Sequence, residues 1–204
     1  GYSPSLTILN ETTLDARAGE ITLLIGPNGA GKSTVLKTLF GFLVPRSGEI
    51  RFEGRRINGR SPRELLREGI AFVPQGRNLF PSLTVRHNLE LGGITLPRGE
   101  LSGRMEEVLQ RFPRIRERLD NQASTMSGGE QKQLEIGRAL LLRPRVLLID
   151  EPSIGLSPIL VRDVMTLLRG LADAGTTVLM VEQNVRTALK YSNRALVLEM
   201  GRLA

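Results

Sequence analysis

Three observations predict an α/β fold with a mainly parallel core sheet flanked by helices. Short aliphatic runs at 20–25, 69–74, 145–149 and 176–181 are rich in Ile, Val and Leu at consecutive positions, as strands buried on both faces are. Helical patterns at 32–40 and 158–172 alternate with them. The run at 20–25 also passes through a glycine-rich turn straight into the first of those helices, the strand, turn and helix order of a βα unit.

The bulk properties bound the rest. A chain of 204 residues suffices for one composite domain, and 40% hydrophobic with 24% charged residues is ordinary for a globular protein. There is no cysteine, hence no disulfide framework, and no run reaches the length of a membrane span. The N-terminus carries no secretory pattern, and that together with the lack of cysteine suits the cytosol. The net charge of +7 points to an acidic partner such as nucleic acid, an anionic membrane surface or polyphosphate. Arginines cluster at 51, 55, 56, 60, 63 and 67 and at 111, 114, 116 and 118, but Glu53, Glu64, Glu68 and Glu117 intersperse them. Without a reading helix or aromatic platform they read as a solvated mixed face, and no nucleic-acid partner is expected.

In chain order, residues 5–16 mix apolar and β-favouring polar residues before Ala18-Gly19 and read as a strand. Tyr2, just upstream, is either an aromatic ring brought over a bound base or a frayed terminus. Gly26-Pro27-Asn28-Gly29-Ala30-Gly31-Lys32-Ser33-Thr34 fits the phosphate-loop pattern G-x-x-x-x-G-K-[ST]. Its glycines let successive N–H groups point at phosphate oxygens, and the helix N-terminus adds its positive end. Lys32 would reach the β- and γ-phosphates and Ser33 would supply a ligand to Mg²⁺. Residues 45–48 form a turn and 49–54 a half-exposed strand; Ser61 and Pro62 begin a short helix as N-cap and first helical residue. The strand at 69–74 ends in proline and delivers Gln75, whose carbonyl oxygen could serve Mg²⁺ or an attacking water.

From 76 the character changes. Residues 76–81 are loop-like, helical patterns follow around 84–91 and 101–111, and the whole reads as a small helical insertion. His87 lacks a metal or catalytic partner and belongs on a helix surface. Ser127, Gly128, Gly129 and Glu130 precede a helix at 132–142, a second glycine-flanked helix start and so a second anion site. Two phosphate sites in one chain suggest a dimer in which each copy closes its Ser-Gly-Gly helix end over nucleotide on the other. The run at 145–149 ends in Asp150 and Glu151. Asp150 could hold Mg²⁺ through water beside Ser33, and Glu151 could polarise the water that attacks the γ-phosphate. The strand at 176–181 ends in Glu182-Gln183-Asn184, placing a polar residue opposite Glu151. Residues 194–203 read as a further strand with a turn at Gly201.

This set of motifs, in this order, resembles the nucleotide-binding subunit of an ABC transporter over essentially the whole chain. Residues 26–34 correspond to Walker A, Gln75 to the Q-loop, Ser127-Gly128-Gly129-Glu130 to the family signature, 146–151 to Walker B, and Tyr2 to the adenine-stacking aromatic. The wording of 73–77, 80–85, 151–158 and 181–184 is similar to the second ATPase subunit of bacterial branched-chain amino-acid importers, a branch that includes urea and amide importers. The resemblance implies an ABC-type P-loop NTPase fold with an antiparallel β subdomain, the core at 1–75 and 143–204 and a helical subdomain at about 76–142. It implies ATP and Mg²⁺ as cofactors, a second ATPase subunit, identical or related, and transmembrane permease subunits at the cytoplasmic face of the cell membrane. It also implies catalytic roles for Lys32, Glu151 and Gln183. Four positions depart from the wider superfamily: Met126 and Glu130 in the signature, Ser157 where many relatives carry Asp, and Gln183 where most carry the switch histidine. A regulatory subunit that closes on ATP without hydrolysing it, or a soluble nucleotide-gated clamp, are the rival readings.

Overall fold

The aliphatic runs are strands, and they share one sheet. A computed structural model describes residues 7–76 and 78–204; Tyr2, with its base-stacking assignment, lies outside the described residues, as does Arg77 of the loop-like stretch. Strands β1 (Ile21–Ile25), β4 (Ile70–Val73), β5 (Val146–Asp150), β6 (Thr177–Val181), β7 (Arg194–Glu199) and β8 (Arg202–Leu203) pair in the order β4-β5-β6-β1-β7-β8. The first five are mutually parallel, and only β8 returns antiparallel across the Gly201 turn.

Because successive side chains of a strand point to opposite faces, each aliphatic run feeds two cores. Leu23, Leu147, Ile149, Val178 and Met180 face one cluster, which also takes Leu134 and Ile136 of helix α6 (Gly128–Leu140) and Val164 and Leu168 of helix α7 (Pro158–Asp173). Leu24, Leu148, Leu179 and Val181 face the other, with Val35 and Leu36 of helix α1 (Lys32–Leu39) and Leu65 of helix α2 (Pro62–Arg67). Burial on both faces is why these strands lack polar alternation.

The helical stretch comprises α3 (Val85–Gly92), α4 (Glu100–Arg111), the short α5 (Pro113–Glu117) and α6, and it lies against β4 through α6. His87 is exposed on α3, as expected. Thr84 caps α3, and buried Asn88 accepts from the Phe80 N–H at 2.9 Å and donates to the Phe80 carbonyl at 3.0 Å, which fixes the loop before the helix. Ser61 caps α2 through a capping box with Glu64. The arginine-rich stretches carry acidic partners, among them Arg51 with Glu49, Arg114 with Glu117 and Arg116 with Glu106, as a mixed face should.

Two expectations need correction. Residues 7–16, the described part of the strand expected at 5–16, contain no strand. The Asn10 N–H donates to Gly201 O at 2.9 Å, but Glu11 adopts φ 50° and Asp15 spends its carboxylate on Arg194, so no ladder develops. The stretch expected as one strand at 49–54 is instead a hairpin, β2 (Arg51–Phe52) with β3 (Arg55–Arg56), turning at Glu53 and Gly54, both at positive φ. A last short helix, α8 (Val185–Ala188), follows β6.

Candidate nucleotide site

Parallel strands bring all their C-terminal ends to one edge of the sheet, and that edge collects the polar residues singled out above. The glycine-rich loop follows β1. Gly26 takes φ 152°, and a Cβ there would lie 2.0 Å from the Leu198 carbonyl oxygen of β7, so only glycine lets the loop leave the sheet along this path. Ala30 is buried, whereas Pro27, Asn28 and Gly29 are exposed at the loop crest. Lys32, 6% exposed, folds its ammonium back to donate to the carbonyls of Gly26 at 2.8 Å and Pro27 at 2.9 Å. A buried cation is thus held inside a loop whose helix, α1, begins with Gly31 at the N-cap and has no acidic residue in its first turn.

Asp150, the last residue of β5, is 2% exposed and hydrogen-bonds Ser33, while its Oδ1 has no partner. Burial pushes its carboxyl above the ordinary carboxylate value; the Ser33 hydroxyl and the cations of Lys37 and Lys32 pull the other way. A hydroxyl and an unpartnered carboxylate oxygen are hard donors of the kind Mg²⁺ takes when phosphate oxygens and water complete its octahedron, so these residues fit that ion.

Glu151 follows at φ 47° and is buried. Gln75, after β4, donates its amide to Glu151 Oε2 at 2.6 Å, and Gln183, after β6, donates to Oε1 at 2.6 Å. The structure therefore brings Gln75 and Gln183 to Glu151 from opposite sides.

Glu182 was given no role by sequence reasoning. It is 2% exposed, accepts from the Ser153 N–H and hydroxyl, both at 2.8 Å, and accepts from the N–H groups of Gln183 at 3.1 Å and Asn184 at 3.3 Å. One buried carboxylate thus ties the turn after Glu151 to the residue that grips Glu151. Its only sequence signal was its place at the end of a buried strand.

Ser127, Gly128, Gly129 and Glu130 form the start of α6. Glu130 accepts from the Ser127 N–H at 2.8 Å and donates its own N–H to Ser127 Oγ at 3.3 Å, a capping box. A Cβ on Gly128 would touch Leu156, and one on Gly129 would crowd Leu160 at 2.7 Å. The glycines of this helix start thus lie against Leu156 of the turn at 153–157 and Leu160 of α7, and Glu130 also pairs with Arg118.

The family profile described as ABC transporter matches residues 9–154. A high-affinity branched-chain amino acid transport ATP-binding protein, BraG of Pseudomonas aeruginosa, is 46% identical over 99% of this chain and 87% of its own length. A probable branched-chain amino acid transport ATP-binding protein, LivF of Archaeoglobus fulgidus, is 38% identical over 100% of this chain and 86% of its own. A dimeric ATP-binding cassette in a post-hydrolysis state, bound to ADP and Pi, superposes with a TM-score of 0.84 at 30% identity, covering 96% of this chain and 88% of that one.

Proposed function

The chain belongs to the ABC transporter family, and from that premise we propose that it binds and hydrolyses ATP to drive import of branched-chain amino acids. As an ABC ATPase it works with ATP and Mg²⁺. The observation that carries the reading is the convergence of the phosphate loop, Asp150, Glu151, Gln75 and Gln183 on one sheet edge.

In this reading the N–H groups of residues 26–34 cradle the phosphates, and Lys32 leaves the Gly26 and Pro27 carbonyls for the β- and γ-phosphates. Ser33 and Asp150 would hold Mg²⁺, with the Gln75 carbonyl oxygen available as a further ligand, and the ion would supply charge neutralisation for the phosphates. Glu151 takes the proton of the attacking water, and Gln183 donates a hydrogen bond to the γ-phosphate while remaining neutral. Ser127, Gly128, Gly129 and Glu130 act in trans, their helix N-terminus closing over nucleotide held by the partner's loop. Two cassettes then sandwich two ATP molecules, the second being either a copy of this chain or a related subunit.

In this reading the chain divides into a nucleotide core, assigned to 1–75 and 143–204, and a helical subdomain, assigned to about 76–142. Between them lies a groove of about 260 Å³, lined by Leu66, Phe72, Pro74, Leu91, Ile94 and Arg138 among others, with Ile94 77% exposed. An apolar groove with one cationic edge suits an amphipathic element of a permease subunit. No helix among the described residues is long and apolar enough to cross a membrane. In this reading contacts in the groove hold the chain at the cytoplasmic face. Uptake of labelled leucine, isoleucine and valine, beside urea and short amides, by cells carrying Glu151→Gln tests the reading. Selective loss of branched-chain uptake is expected. Loss confined to urea or amides would reassign the cargo, and unchanged uptake of all would leave the regulatory reading.

A further inference from the structure

Helix α6 carries a charged pair inside the core. Lys132 and Glu135, each 5% exposed, bond at 2.5 Å. Such a pair rarely stabilises a fold more than apolar residues of the same size, because desolvating the charges offsets their attraction. What Glu135 adds is an acceptor aimed out of the core. Its Oε1 takes the Asn78 N–H at 2.8 Å, while Arg138, one turn on, donates to the Asn78 carbonyl at 2.6 Å. Both sides of one residue's backbone are therefore held by one helix. The Asn78 side chain in turn donates to the carbonyls of Pro74 at 3.0 Å and Gly76 at 3.2 Å, closing the loop around Gln75. Gln75 ends on Glu151.

We propose that Glu135 and Arg138 are positioning residues that clasp Asn78 and so make the Gln75 loop move with α6. The inference rests on the two-cassette reading above. Under it, the N-terminus of α6 senses nucleotide on the partner, whereas Gln75 and Glu151 serve the chain's own nucleotide. The clasp then connects the two ATP sites through one helix, and engagement of the signature at one site sets the placement of Glu151 at the other.

The test compares two variants free of buried charge. Lys132→Met with Glu135→Gln keeps an acceptor oxygen for Asn78; Lys132→Met with Glu135→Leu removes it. Each is read against the parent for melting, for NMR exchange of the Asn78 amide without nucleotide, and for kcat and KM of Mg-ATP hydrolysis. The Gln version should stay within about twofold of the parent. The Leu version should exchange the Asn78 amide about tenfold faster or more. It should also lose about fivefold or more in kcat at unchanged KM, as misplacement of a reacting group does. Equal kcat in the two variants overturns the positioning role, and equal exchange overturns the clasp. Should the Leu version fail to fold, Arg138→Met, which removes the donor to the Asn78 carbonyl from a partly exposed position, decides in its place: unchanged kcat overturns the proposal. A parent without Mg-ATP turnover overturns the hydrolytic reading and with it this role, and the exchange data tell that failure from a missing clasp.

Discussion

Replacing Glu151 by Gln removes one proton acceptor and leaves the phosphate loop untouched. A positioned general base contributes on the order of 10²- to 10⁴-fold, so kcat should fall by that factor while ATP affinity holds. The structure adds a second consequence. Both carboxylate oxygens accept amides, from Gln75 and Gln183, at 2.6 Å each. The new side chain presents one N–H₂ group where an oxygen stood, so one glutamine must turn its amide over, and both charge-assisted bonds become neutral ones. That trade costs about 1 kcal/mol and lowers the melting temperature by about 2–4 °C in a chain of this size. Phosphate release at saturating Mg-ATP, light scattering in the same buffer and a melting curve read all three quantities. Accumulation of an ATP-bound dimer with turnover nearly abolished is expected. A variant hydrolysing within about threefold of the parent would refute Glu151 as the base, since a positioned base typically contributes at least about 10²-fold.

Asp150→Asn should melt higher than the parent at neutral pH in the absence of nucleotide. Burial raises the folded carboxyl, so ionisation opposes folding above the ordinary value of 3.8, and the gap between the proteins should close as pH falls below it. The same variant should lose at least about tenfold in Mg²⁺ affinity, read by titration with ATP present. Gly26→Ala drives a Cβ to 2.0 Å from the Leu198 carbonyl and should cost about 3 kcal/mol or more, with loss of ATP binding; an unchanged melting curve would refute the assigned path. Ser127→Ala removes a helix cap and should cost about 1 kcal/mol by chemical denaturation. Glu130 is held below its ordinary 4.5, first by the Ser127 N–H, so its share of stability is present above that value and lost as pH falls through the lower folded one. Glu130→Gln and the parent should therefore converge in acid melts.

What was legible in the sequence was whatever local chemistry enforces. The glycine-rich loop and the carboxylates closing a buried strand announce themselves within a few residues, and the capping boxes at Ser61 and Ser127 follow from spacing alone. What was missed depends on partners far along the chain. Residues 7–16 have strand-like composition, yet the described part pairs by backbone with Gly201 and by side chain with Arg194, contacts that no local window contains. Glu182 looks like any acidic residue after a strand until Ser153 folds beside it. Nothing in the local sequence marks Lys132 and Glu135 as buried; they are 5% exposed on α6, which docks onto β4.

The grip on Glu151 follows from strand order. β5 has β4 on one side and β6 on the other, so residues just past the three C-terminal ends stand in a row about 4.8 Å apart from strand to strand. A glutamine side chain spans that gap, which is why Gln75 and Gln183, distant from each other in sequence, each reach one oxygen of the same carboxylate. Two fixed donors set the carboxylate's plane; with one removed, the group can rotate about its remaining bond. The effects of substituting Gln75 and Gln183 are therefore not independent, because either loss releases the same side chain. The neutral residue at 183 then has a structural reason of its own. Its amide matches that of Gln75 across the sheet, and through Glu182 its backbone is pinned to the turn that follows Glu151.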